Sequence, residues 1–160
     1  RYPEKVWRKM IDINLTTPFL TTKEVLPVMR KNKFGRIINI SSTHGLIASA
    51  NKSAYTASKH GIVGLTKVTA LETAKENITC NSVCPGFVLT ELIQDQIDLI
   101  AKKKKISIQK AEVELLKEKQ PSLQFVQKND IASLIYYLSS EGASQITGSN
   151  IPIDGAWTSQ

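Results

Sequence analysis

Much of what would mark a metal, disulfide, membrane or nucleic-acid protein is missing from this 160-residue sequence, which holds only two cysteines and two histidines. Cys80 and Cys84 are separated by three residues inside an apolar segment. That spacing suits neither a disulfide framework nor the usual zinc ligand pairs, so both read as reduced structural thiols. His44 has only His60 for company and no acidic or cysteine partner at ligand spacing, and no metal is expected. No run reaches the roughly 18 uninterrupted apolar residues of a spanning helix. The opening Arg1-Tyr2-Pro3-Glu4-Lys5 also lacks the basic-then-apolar pattern of a leader. No membrane partner is expected, and the cytoplasm is the expected compartment. Aromatics are 6% of the residues and are not interleaved with the basic ones, so the net charge of +7 does not describe a base-stacking surface and no nucleic-acid partner is expected. The densest basic run, Lys102 to Lys105, is followed by Glu112, Glu114 and Glu118 and reads as a solvated helical face. The excess charge would still attract an anionic ligand.

A phosphate cradle is missing too. None of the eight glycines falls in a Gly-x-Gly-x-x-Gly run after a strand, and Gly61 and Gly64 sit in a helical pattern where close helix packing explains them. The chain opens without Met, straight into an amphipathic helix, so upstream material is expected and residues 1–160 read as a single partial domain.

Apolar residues from Val6 to Met29 recur at helical spacing over Glu4 to Met29, a long helix that Pro18 should bend, with a stop over Asn32 to Gly35. Arg36-Ile37-Ile38-Asn39-Ile40 reads as a strand covered on both faces. Helical periodicity returns from Ala54 to about Asn77, and a second strand, Ile78 to Cys84, is cut off by Pro85-Gly86. Glu91 to Gln120 reads as two polar helices in the position of a substrate lid. Asn129 and Asp130 offer N-caps for a helix to Leu138, and Ile151-Pro152-Ile153 is a last strand. The alternation predicts an α/β fold with a doubly wound parallel sheet, Rossmann-like, whose ligands lie at the carboxyl ends of the strands. Ser41-Ser42 and Pro85-Gly86 should both face that ligand.

The chemistry centres on Tyr55-Thr56-Ala57-Ser58-Lys59. Four residues is one helical turn, so the two side chains share a face, and an ammonium close to a phenol favours the phenolate. Tyr55 could then act as acid and base toward a substrate oxygen. The alternative is a solvated pair on a surface helix. The company of the pair argues against it: Asn14 upstream, Ser42 at a strand end, and Pro85-Gly86-Phe87-Val88-Leu89-Thr90 after the next strand.

From about Trp7 onward these residues together resemble the short-chain dehydrogenase/reductase family. The resemblance implies hydride transfer between a nicotinamide cofactor and a small hydroxyl or keto substrate. Tyr55 is implied as acid and base and Ser42 as the group orienting the substrate oxygen. Lys59 would hold the nicotinamide ribose, and Asn14 would anchor a water that links Lys59 to solvent. Pro85, Gly86, Val88 and Thr90 are implied contacts of the nicotinamide, alongside Asn14, Tyr55 and Lys59. Longer likenesses at 41–46, 51–55, 118–126 and 154–158 are to members acting on a short hydroxy acid, and they imply that His44, Lys52 and Gln96 bind a carboxylate while Trp157 closes the pocket. A short hydroxy acid offers little apolar area and must be held through its charge, which suits a lysine with directional donors. NAD as cofactor and a homotetramer built through the helices at Glu4 to Met29 and Ala54 to Glu76 are likewise implied by the resemblance alone. The chain departs from the family in lacking the glycine-rich first half of the cofactor site, which would leave the first strand with an unpaired apolar edge. A related reductase for another small keto compound, or a silent fragment that only binds partner subunits, are the alternative readings.

Overall fold

The computed structural model describes residues 3 to 159; Arg1, Tyr2 and Gln160 lie outside the described residues, and with them the first two positions of the opening inspected for a leader. The first helical pattern forms in three consecutive pieces: α1 (Glu4–Ile11), a π-helical turn (Asp12–Thr16) and α2 (Thr17–Asn32). Pro18 has no N–H for the carbonyl four residues earlier, that of Asn14, so the chain widens into the π turn just before it. The bend expected at Pro18 thus takes the form of a changed helical pitch around Asn14. α2 ends where Lys33 turns left-handed (φ 53°) and Phe34 N–H reaches back to the Met29 carbonyl at 3.1 Å.

The β-branched runs form the parallel strands β1 (Gly35–Ile40), β2 (Ile78–Pro85) and β3 (Asn150–Ile153), in the order β1-β2-β3. β2 is central and buried from Ile78 through Cys84, as a strand covered on both faces must be. It runs one residue further than expected, through Pro85, which stands opposite Ile153 in the register. Among the described residues β1 pairs on one side only, which is the open edge that the sequence implied.

Helices cover both faces. On one, Val25, Leu26 and Met29 of α2 and Ala70 of α3 (Ser53–Glu72) pack on Ile37 and Cys80. On the other, Leu138 of α6 (Lys128–Ser139) meets Val83 and Ala143. Both cysteines are free and buried, and burial pushes the Cys80 thiol up to about 11. α3 is shorter than its periodicity suggested, because the Thr73 hydroxyl, at 2.9 Å from the Thr69 carbonyl and 3.2 Å from that of Ile78, ties the helix end to the start of β2. α6 starts earlier than expected: Gln127 is its N-cap, so Asn129 and Asp130 do not cap it but lie in its first turn, where the Asp130 carboxylate meets the positive helix end.

The two expected polar helices are α4 (Glu91–Lys104) and α5 (Ile108–Leu116), closed on a small core of Ile97, Ala101 and Ala111. Glu114 of α5 joins them through Lys104 of α4 and also pairs with Lys117 at the end of its own helix, and Lys102 to Lys105 are exposed. A Cβ at Gly61 would come within 2.6 Å of Leu15, so this glycine lets α3 lie against the π turn. Gly64 is different: a Cβ there meets nothing within 4 Å, and nothing in the structure explains it. No helix of the described residues is long and apolar enough to cross a membrane.

Candidate active site

Because the strands are parallel, their carboxyl ends open onto one rim, and the loops leaving them carry the expected residues. After β1, Ser42 takes an extended conformation and caps a short 3-10 turn, Thr43–Gly45, its Oγ accepting the His44 backbone N–H at 3.2 Å. Lys52 is the N-cap residue of α3, so Tyr55 and Lys59 fall in the helix's first turns. Two contacts pin that part of α3 to the end of β1. The Lys59 ammonium donates to the Ile40 carbonyl at 2.9 Å, and the Ser41 hydroxyl donates to the Lys59 carbonyl at 3.1 Å. Ser42 and the Tyr55–Lys59 pair are therefore held at one strand end.

Lys59 lies 5.7 Å from the centroid of the Tyr55 ring. Its ammonium is buried, which lowers its pKa below the ordinary 10.5, opposed by the nearby Cys84 sulfur. Asn14 belongs to the π turn, which packs on α3, and its amide donates to the Met10 carbonyl at 3.1 Å. Thr90 is the N-cap residue of α4, yet its hydroxyl makes no cap bond. Pro85 ends β2 and Gly86 follows it, while Val88 bridges in parallel to Val126.

An aromatic wall stands beside Tyr55. His44 meets Tyr55 and Trp157 edge-on, each at 5.7 Å between ring centroids, and Phe87 lies 4.8 Å from Trp157. Lys119, from the segment after α5, places its ammonium 5.6 Å from the Trp157 ring and 3.4 Å from the Ser49 hydroxyl. His44 Nε2 is buried with no hydrogen-bond partner, a group that a polar ligand would satisfy. The imidazole pKa is lowered from 6.5, first by burial and then by the charges of Lys119, Lys52 and His60. Lys52 is exposed, and its charge acts on His44. Gln96 sits on α4 with its amide on the Leu92 carbonyl of its own helix at 3.3 Å, and among the described residues no hydrogen bond ties it to His44 or Lys52.

Phe87 and Lys119 join this aromatic wall without having been singled out in the sequence. Each stood inside a segment noted there, 85–90 and 118–126, but nothing local aims them at Trp157.

A pH effect follows from His44. Folded, it stays neutral below 6.5, whereas the unfolded chain takes up the proton there. Its share of stability is thus intact above 6.5 and is lost as pH falls through the lowered folded value. Melting temperature should drop between about pH 7 and pH 5, and His44→Gln should flatten that slope; equal slopes in the two proteins would reject the assignment.

The donor set at this rim fits the nicotinamide-ribose end of a dinucleotide: an ammonium at Lys59, the phenol of Tyr55 one helical turn before it, and a hydroxyl at Thr90 left unused by its helix.

Three comparisons bear on the site. A family model described as enoyl-(acyl carrier protein) reductase matches residues 1–158. A D-beta-hydroxybutyrate dehydrogenase from Cupriavidus necator is 52% identical over 159 residues, covering 99% of this chain and 62% of the relative. Among solved structures, a 4-hydroxyisoleucine dehydrogenase complexed with NADH shares 38% identity at a TM-score of 0.87, over 99% of this chain and 61% of that one. An actinorhodin polyketide ketoreductase with NADPH shares 32% identity at a TM-score of 0.90, over 100% and 62%. The chain thus spans 62% of the length of the curated relative it matches.

Proposed function

Because the chain belongs to the short-chain dehydrogenase/reductase family, as its match to the family model over residues 1–158 shows, we propose that it carries the catalytic half of an NAD-dependent oxidoreductase that interconverts D-3-hydroxybutyrate and acetoacetate. The observation that carries this reading is the buried His44 Nε2 beside Tyr55, which has no hydrogen-bond partner among the described residues and lies in a neighbourhood made positive by Lys52 and Lys119. A small anion satisfies both features.

When bound, the nicotinamide supplies the hydride acceptor. The chain's own residues do the rest. Ser42 orients the substrate oxygen, and the Tyr55 oxygen takes the hydroxyl proton during oxidation and returns it during reduction. Lys59, held by the Ile40 carbonyl, holds its positive charge beside the phenol and reaches the ribose. Asn14, in the π turn that packs on α3, anchors a water that connects Lys59 to solvent. His44, Lys52 and Gln96 hold the carboxylate, Gln96 after turning its amide from Leu92. Trp157 closes the pocket, and α4 with α5 forms a lid over it. Pro85, Gly86, Val88 and Thr90 contact the nicotinamide. We further propose a cytoplasmic homotetramer assembled through the long helices, which leave Ile13, Phe19, Leu20, Val68 and Leu71 exposed in the isolated chain.

The test uses the protein encoded by the complete reading frame, following NADH formation with D-3-hydroxybutyrate and with a neutral secondary alcohol. Lys52→Met should raise KM for the acid roughly tenfold or more while leaving the neutral alcohol nearly unchanged, since a charge-assisted contact is worth about 1.5–3 kcal/mol. No turnover of the acid by the folded protein would overturn the substrate assignment.

A further inference from the structure

We infer that Gln120 is a positioning residue that fastens the end of the α4–α5 segment to the loop after β2, and so holds the backbone of that loop in register for the nicotinamide. The inference rests on the reading of 85–90 as the nicotinamide contact.

Gln120 is 1% exposed, an unusual burial for a neutral amide unless every polar group is met. Its Oε1 accepts the Phe87 backbone N–H at 2.8 Å, and its Nε2 donates to the Gln124 carbonyl. The side chain is wedged between two loops. A Cβ on Gly86 would stand 2.4 Å from Oε1, and one on Gly155 would stand 3.0 Å from the Gln120 Cγ. Backbone bonds close the same junction: Val126 N–H to the Phe87 carbonyl at 2.8 Å, and Ser122 N–H to the Gly155 carbonyl at 3.1 Å. One side chain therefore joins the returning lid segment, the loop after β2 and the turn after β3 that carries Trp157. Hydrophobic packing could fill this space, but only a group that both accepts and donates fixes the direction of the Phe87 amide.

The chemistry of the amide supplies a specific test. A protonated carboxyl in Gln120→Glu reproduces the pattern, its carbonyl accepting from Phe87 and its O–H donating to Gln124. The ionised form has no donor and faces the Gln124 oxygen, and burial lifts its pKa above the ordinary carboxylate range of about 4.3. Titratable groups shown near the junction are Asp154, against Gly86, with Cys84 within reach of its charge, Lys119, next to Gln120 in the chain, and His44, against Trp157. All are shared by wild type and variant, so the ratio of the two isolates the new carboxyl.

Dissociation constants for NADH, and for NADPH in parallel, would be measured by nucleotide fluorescence between about pH 5 and pH 8 on the protein from the complete reading frame. For Gln120→Glu the affinity should match wild type at the acid end and fall by roughly tenfold at the alkaline end, while Gln120→Met should show that loss at every pH. A flat variant-to-wild-type ratio for Gln120→Glu, or a folded Gln120→Met protein that binds nucleotide as tightly as wild type, would reduce Gln120 to a core filler and overturn the inference. Wild-type protein that binds neither nucleotide would overturn this inference and the nicotinamide reading together. Tight, Gln120-dependent nucleotide binding without turnover of hydroxybutyrate would sink only the substrate assignment.

Discussion

Tyr55→Phe is expected to lower the rate of the proposed D-3-hydroxybutyrate oxidation by roughly 10²–10⁴-fold, the contribution of a positioned acid-base group. The substitution removes one oxygen and leaves the ring. The packing of that ring against His44 at 5.7 Å and the helical position of residue 55 both survive, so the melting temperature should hold. Steady-state NADH absorbance with a parallel thermal melt separates the chemistry from the fold. A folded Phe variant that retains more than about a tenth of the rate would remove Tyr55 from the proton-transfer role, since a loss that small lies below the range for such a group.

Lys59→Met should reduce the rate by about 10²–10³-fold, the size seen when one fixed electrostatic donor is taken from a site. Stability should respond differently. Burial holds the Lys59 pKa below 10.5, so folding disfavours the charged form. That destabilisation is fully present below the lowered folded pKa. It is relieved as pH rises toward 10.5, because only the unfolded chain still binds the proton in that window. Wild type should therefore gain stability relative to Lys59→Met as pH climbs through this range. At neutral pH the variant loses the bond to the Ile40 carbonyl but also loses the buried charge, and these effects offset. Urea melts across pH check the sign: a gap between the proteins that stays constant up to 10.5 would mean that burial of this ammonium does not weigh on folding.

Much of the fold was legible because its elements follow short-range periods. The β-branched runs at 36–40 and 78–84 became β1 and β2, apolar spacing foretold the bent helical stretch of α1 and α2 and the helix α3, and a polar, lysine-rich stretch foretold the pair α4 and α5. Errors fell at ends and irregular turns. The N-cap of α6 lies at Gln127 instead of Asn129 or Asp130, since several polar residues in a row each satisfy a local capping preference and packing chooses among them. Pro18 pointed to a disturbance, but only the structure showed that it takes the form of a π turn around Asn14, packed against α3 at Gly61.

The site divides the same way. The one-turn spacing of Tyr55 and Lys59 and the position of Ser42 at a strand end follow from the sequence alone, because a helix stacks residues four apart and a parallel sheet presents its carboxyl ends together. Tertiary structure alone decided that His44 would meet Trp157, that Lys119 would lie over the same ring, and that Gln120 would reach the Phe87 amide. Those pairs are joined by no helical or strand period. Their meeting depends on how the α4–α5 segment returns across the rim and on the register that sets β3 beside β2, which are properties of the packed chain as a whole.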